Sequence, residues 1–354
     1  YALDAATTGQ QNVAIGYNAG TNITTAQRSV LVGDLAGFSI VDDSNNIAIG
    51  YKALENDASS GSNVAIGYQA LQDQSTADSN NVAVGYQAAL NLDGGTDSVY
   101  LGYQAGGVGA ITGNDNVVIG KSAGLNLTNN AGNVVIGKGA FDAANGGENY
   151  NTAIGVAALG SETSGADGCV AVGHNALLTQ NRDDSANTAI GYKALVNLQA
   201  TTGGAYGGVR NTAVGYQAGG SGVFGGGTDG QGGNNSLVGY KAGRAITLGK
   251  GNTVLGSEAA DVLNTGDHNV IIGTNAGGAM TDNNYNIAIG AYALDSCDGG
   301  ETGNVAIGHA ALGADIAGSE YCVAIGYHAL TLQDENKKNT AVGGYAGDAI
   351  EGGT

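Results

Sequence analysis

The sequence predicts an all-β chain, a parallel β-solenoid of about nineteen coils of 17–18 residues each. Three observations predict it. A phrase seen whole at Asn12-Val13-Ala14-Ile15-Gly16-Tyr17-Asn18-Ala19-Gly20 returns as Asn46-Ile47-Ala48-Ile49-Gly50-Tyr51-Lys52-Ala53-Leu54 and Asn63-Val64-Ala65-Ile66-Gly67-Tyr68-Gln69-Ala70-Leu71, and on to Gly343. The central glycines are 17 or 18 residues apart in every interval but two. The run before each glycine is short and β-branched, which reads as a strand rather than a helix turn.

A period of 17–18 is too short for two helices per unit. It suits one or two short strands and two turns per coil. Stability in such an array comes from stacking like units, so 354 residues add coils rather than a larger core. At roughly 4.8 Å per coil, nineteen coils would make a rod of roughly 90 Å. Residues 1–354 thus read as one repeat array. The two intervals of 24 residues, Gly191 to Gly215 and Gly215 to Gly239, place longer loops near 196–210 and 220–233. Tyr1-Ala2-Leu3-Asp4 matches Tyr292-Ala293-Leu294-Asp295, the tail of a repeat. The array is therefore expected to be cut in mid-repeat at both ends, a piece of something longer.

Each column of the repeat, numbered from the central glycine, has its own chemistry. Four before it stands Asn in fifteen copies, with Ser29, Ser98, Cys169 and Cys322 in the rest. A stacked ladder of such amides, from Asn12, Asn46 and Asn63 onward, would satisfy backbone groups at a turn and on neighbouring coils. The glycine itself, as at Gly16, Gly50 and Gly67, supplies a positive φ or a close approach at the corner. Three after it stands Ala in every copy, as at Ala19, Ala53 and Ala70, a place where only a methyl fits. Cys169 and Cys322, in the Asn column, read as small buried substitutes. With Cys297 they make an odd, sparse set that fits no disulfide framework and no zinc spacing.

The strand alternates its side chains. The residues one and three before the glycine are expected to fill the coil. The residue two before would then point outward. That column reads Ala14, Leu31, Ala48, Ala65, Ala83, Tyr100, Val118 and Val135, and carries no charge in any copy. An apolar stripe of that length exceeds what a soluble monomer exposes. It is expected to be buried against sister chains around a common axis.

The column after the glycine is Tyr in nine copies, beginning with Tyr17, Tyr51, Tyr68, Tyr86 and Tyr103, and elsewhere accepts Asp34, Lys121 or His174. Tolerance of charge marks it as exposed. Stacked tyrosines would steady neighbouring coils and offer a surface to sugar rings. Tyr206 and Phe224, in the long loops, are the other candidate contacts, because insertions in a solenoid map to its surface.

Composition excludes several classes. Net charge is −19 with 12 basic residues, against both nucleic acid and an anionic membrane surface. No apolar run in this segment is long enough to span a bilayer. High glycine without proline or a Gly-X-Y triplet excludes collagen. No enzyme is expected. The four histidines, His174, His268, His309 and His328, stand by no nucleophile, and paired carboxylates such as Asp42-Asp43 and Asp183-Asp184 lie in variable loops. His309 and His328 fall in adjacent coils, but no metal centre is expected there. No cofactor is expected either. The faint exception is calcium, at 225–233 or at Asp93-Gly94-Gly95-Thr96-Asp97, where the turns have a slight likeness to calcium-binding β-rolls.

The pattern Asn-x-Ala-[Ile/Val]-Gly-x-x-Ala resembles the head-domain repeat of YadA-like trimeric autotransporter adhesins, and is similar to repeats in bacteriophage tail fibres. The resemblance covers nearly the whole chain. It implies a left-handed parallel β-roll with three chains side by side, in an adhesive head or stalk. The period here is longer than that family's, so the outer loops should be longer. The expected function is a non-enzymatic fibre segment, extracellular, on a cell surface or on a virion, that extends a rod and meets a host-surface glycan or protein. The alternative is a filament subunit that stacks end to end. An ice-binding face would need a regular Thr array, and only Thr152, Thr188, Thr212, Thr253 and Thr340 stand in the relevant column.

Overall fold

A computed structural model describes residues 2–57, 61–74, 79–107, 109–144, 146–161, 165–180, 186–198, 208–220, 231–297, 300–314, 319–333 and 338–350. The chain is an all-β parallel solenoid, and no helix occurs among the described residues. It divides into two units, Tyr1–Ala171 and Val172–Thr354. Every copy of the repeat contributes one three-residue strand that ends on the residue before its central glycine. The solenoid closes about 16 turns, slightly fewer than the nineteen coils expected. All nineteen short strands are present.

In the first unit the strands from Val13–Ile15 to Thr152–Ile154 pair in parallel without a register shift: Val13 faces Val30, Ile47 faces Val64, Val117 faces Val134. A second, four-stranded parallel sheet joins Asn56–Asp57, Asp73–Gln74, Asn91–Leu92 and Ala110–Ile111. In the second unit the strands from Thr188–Ile190 to Thr340–Val342 repeat the arrangement, Thr188 facing Thr212 and Val323 facing Thr340. Two shorter pairs accompany them, Thr179–Gln180 with Asn197–Leu198 and Leu332–Gln333 with Ala349–Ile350.

The corner at the glycine is built from backbone strain and close approach together. Gly67 has φ 137°, and a Cβ placed on it would stand 2.3 Å from the carbonyl oxygen of Gly85 in the next coil. Gly16, Gly33 and Gly50 meet the next coil in the same way. Only hydrogen fits between the coils at this corner. Backbone bonds run both ways from each coil. The Gly67 amide donates to Ile49 O at 2.8 Å and the Val64 amide to Asn81 O at 2.8 Å.

The asparagine ladder is as expected. The amide N–H of Asn63 donates to Asn46 Oδ1 at 2.9 Å, and that of Asn81 to Asn63 Oδ1 at 2.9 Å. Side-chain amides close the turn, as Asn81 Nδ2 does on Gly95 O and Asn12 Nδ2 on Ala26 O. Ser29 and Ser98 keep the chain of bonds unbroken, their hydroxyl oxygens accepting from the amides of Asn46 and Asn116. Cys169 and Cys322 are buried and receive the ladder through their backbone N–H. The second unit carries the same ladder from Asn187 to Cys322. The invariant Ala lies inside the coil, fully buried from Ala19 to Ala329.

The expected facing of the strand is overturned. The middle residue, two before the glycine, points into the coil: Leu31, Ala48, Ala65, Tyr100, Val118 and Val135 are wholly buried. The residues one and three before it are the outward ones, and none of them is buried in any copy. The coil is thin, and each already encloses the Ala three after the glycine and the residue four after it. One strand side chain fits beside them; two β-branched ones do not. The exterior of the sheet is consequently two uncharged columns, mostly Val and Ile, with Thr152, Thr188, Thr212, Ser236, Thr253, Thr340, Leu101 and Leu255 among them.

Candidate functional site

The tyrosine column forms a ladder. Tyr51, Tyr68, Tyr86 and Tyr103 stack with ring centroids 5.2, 5.1 and 5.1 Å apart. Lys121 Nζ closes the end of this run, 5.5 Å over the Tyr103 ring. Beside it runs a glutamine ladder, in which Gln87 Nε2 donates to Gln69 Oε1 at 2.9 Å and Gln104 Nε2 to Gln87 Oε1 at 3.0 Å. In the second unit His174, Tyr192, Tyr216 and Tyr240 stack in the same way, with Lys241 Nζ 4.9 Å over Tyr240.

These rings are exposed, as their tolerance of charge implied. Their faces, however, are spent on one another. Tyr68 and Tyr86 offer solvent their edges and hydroxyls, so a sugar ring has no face to stack on inside the ladder. Tyr17 belongs to neither of these two runs and is 65% exposed. Tyr206 and Phe224 lie outside the described residues.

A second aromatic column went unread in the sequence. It stands five before the glycine and includes Tyr150, His268, Tyr285 and Tyr321. Each of these four residues has a left-handed φ, such as 58° at Tyr150 and 57° at Tyr285. Tyr150 is the most exposed, at 75%. Its ring lies over Gly132 of the preceding coil, where a Cβ would come within 2.8 Å of Cδ1. Tyr321 lies over Gly303, and His268 over Gly251, in the same manner. The available signal was the glycine that precedes Tyr150, His268 and Tyr321 by one coil in the same column.

The outward aliphatic columns are the largest feature. In the first unit they comprise Val30, Ile47, Val64 and their successors, three before the glycine, and Val32, Ile49, Ile66 and theirs, one before it. No charged residue interrupts either column in either unit. In the second unit Thr188, Thr212, Ser236 and Thr253 bring four hydroxyl residues side by side.

Polar chemistry is sparse. A groove of about 410 Å³ follows the second sheet of the first unit, lined by Asn56, Asp73, Gln74, Asn91, Leu92, Asp93 and Ala110. Asp97 Oδ1 accepts from Asn80 Nδ2, which ties it to the neighbouring coil. Among the described residues no three His, Cys, Asp or Glu side chains gather into a metal-binding group. The stretch 225–230 of the other candidate calcium loop lies outside the described residues, as do Asp183 and Asp184. Two carboxyls have their affinity for protons raised by burial, Asp142 and Asp295. For Asp295 a side-chain hydrogen bond with Ser296 and the nearby His309 oppose that rise.

Comparison with family models and with curated proteins finds no match for this chain.

Proposed function

We propose that the protein is a non-enzymatic fibre segment, extracellular or carried on a virion, in which three copies pack side by side as left-handed β-rolls to form a rod that presents attachment surface. The observation that carries this reading is the pair of outward Val/Ile columns. The middle strand residue fills the coil, so Val64 and Ile66 and their counterparts face outward and stay at least part-exposed. An uncharged, largely aliphatic face of this kind, interrupted by hydroxyl residues at Thr152, from Thr188 to Thr253 and at Thr340, is a burden on a solitary soluble chain and an asset at an interface between copies. The acidic surface, at net charge −19, keeps finished rods apart. The likeness of the repeat to YadA-like heads and to phage tail fibres supports the same reading. The attachment partner is a surface glycan or protein met by the outer loops and exposed rings.

Light scattering on the purified chain tests it. The expected mass is three times the 34.7 kDa of one chain. Ile66→Glu, which sets a charge on the outward face, should yield monomers with an unchanged β-sheet circular dichroism spectrum. A monodisperse wild-type monomer overturns the reading. Indefinitely long filaments in negative stain would favour end-to-end stacking instead.

A further inference from the structure

The four histidines are not equivalent. His174 stacks on Tyr192 and His268 on Tyr285, each away from any other histidine in the sequence. His309 and His328 come from adjacent coils, tied by the bond from the His328 amide to His309 O at 2.9 Å. Their ring centroids are 5.4 Å apart and their planes are tilted by 47°, so they do not stack on each other. Each ring is held by other partners. Tyr327 stacks on His309 at 5.2 Å, and Tyr345 stacks on His328 at 5.6 Å.

Thr331 Oγ1 lies 3.3 Å from Ala310 O and 3.3 Å from His328 Nδ1. Its one hydroxyl proton can serve either acceptor. In the tautomer that carries the proton on Nδ1, the ring donates to Thr331 Oγ1, the hydroxyl donates to Ala310 O, and Nε2 keeps its lone pair. A hydrogen bond from one ring nitrogen that leaves the other bare is how a metal-ligating histidine is oriented.

The separation of the rings fits one shared ion. A bond of about 2.1 Å from metal to nitrogen puts the metal roughly 3.2 Å from each ring centroid. Opening the N–metal–N angle from about 90° to 120° then moves the centroids from roughly 4.5 to 5.5 Å apart. The observed 5.4 Å lies in that range. The strongly acidic chain adds a favourable field for any cation.

We propose that His309 and His328 form a two-histidine site for a borderline divalent transition ion, of the Cu2+, Ni2+ and Zn2+ class, whose remaining positions are filled by water. Imidazole ligands suit these ions and not Ca2+ or Mg2+. The site is independent of the fibre reading, since it needs only one chain.

Calorimetric titration of the untagged 354-residue chain with CuCl2 and ZnCl2 tests it, alongside electron paramagnetic resonance of the copper form. The expected result is one ion per chain, bound more tightly as Cu2+ than as Zn2+, with two equatorial imidazole nitrogens in the spectrum. His309→Asn and His328→Asn should each weaken binding tenfold or more, because the chelate becomes a single ligand. His174→Asn and His268→Asn should leave it unchanged. Thr331→Val should weaken binding less than either ligand change does. No binding at millimolar Cu2+, a spectrum with one imidazole, or equal affinity in His328→Asn would each overturn the proposal.

Discussion

A methyl group on Gly106 would stand 2.4 Å from Cδ1 of Tyr100. The two positions, four after and two before the same central glycine, share one volume inside the coil. The trade recurs. Leu31 is matched with Gly37, Leu237 with Gly243, and Ile271 with Gly277, whereas Ala48 is matched with Leu54 and Ala65 with Leu71. In these coils the core takes its large side chain from one position or the other, whereas Val135 with Phe141 and Ala213 with Gly219 depart from the trade.

Exchange of partners should therefore be partly reversible. Leu54→Gly leaves a void and should cost about 3 kcal/mol or more, and Ala48→Leu should cost about 1–3 kcal/mol by overpacking. The double variant reproduces the pair at 31 and 37, and should recover about 1–3 kcal/mol relative to the sum. Urea unfolding of the four proteins measures the coupling. Strict additivity would show that the two positions do not share space.

The glycine corner can be separated into its two causes. Gly67 and Gly343 have nearly the same φ, 137° and 132°. Around Gly67 a Cβ meets the next coil at 2.3 Å, whereas around Gly343 the nearest atom is 3.9 Å away, on Ala346. Gly67→Ala should lower the melting temperature far more than Gly343→Ala. Equal losses would assign the whole effect to φ.

The ladder position tolerates any acceptor on a short stem. Asn63→Ala strands the buried amide N–H of Asn81, which should cost about 1–3 kcal/mol. Asn63→Ser should cost less, because the hydroxyls of Ser29 and Ser98 already accept at this position. Denaturant midpoints for the two variants check the order.

Burial raises the affinity of Asp142 for its proton, with a bond from its own backbone opposing. The folded state thus binds this proton more readily than the unfolded chain does. The group disfavours folding while it is ionised, and that penalty fades as pH falls through its folded pKa. Asp142→Asn should raise the melting temperature at pH 7 and lose the advantage in acid. A gain that grows on acidification would contradict this sign.

The period, the strand before each glycine, the Asn ladder, the buried Ala and the exposure of the tyrosines were all legible in the residues. Each depends on contacts between identical positions in adjacent coils, so the repeat itself displays them. The left-handed residues were less legible. Leu54, Leu71 and Leu159 adopt φ of 55°, 47° and 50°, a region that ordinarily selects glycine or asparagine. Bonds to both neighbouring coils hold the backbone there against its preference. The aromatic column at Tyr150 and Tyr285 was missed for a related reason, since it lies in the variable stretch before the Asn.

What the sequence by itself determined is a stack of short parallel strands in register, with glycine and asparagine at the corners. Which face of the strand looks inward was decided only by the tertiary structure. A strand of three apolar residues, such as Val64-Ala65-Ile66, is compatible with either facing, because both sides are apolar. The choice depends on the volume left in a closed coil by residues from its other sides, Ala70 and Leu71 among them. One small side chain fits that remainder, so Ala65 turns in, and Val64 and Ile66 are left to the surface.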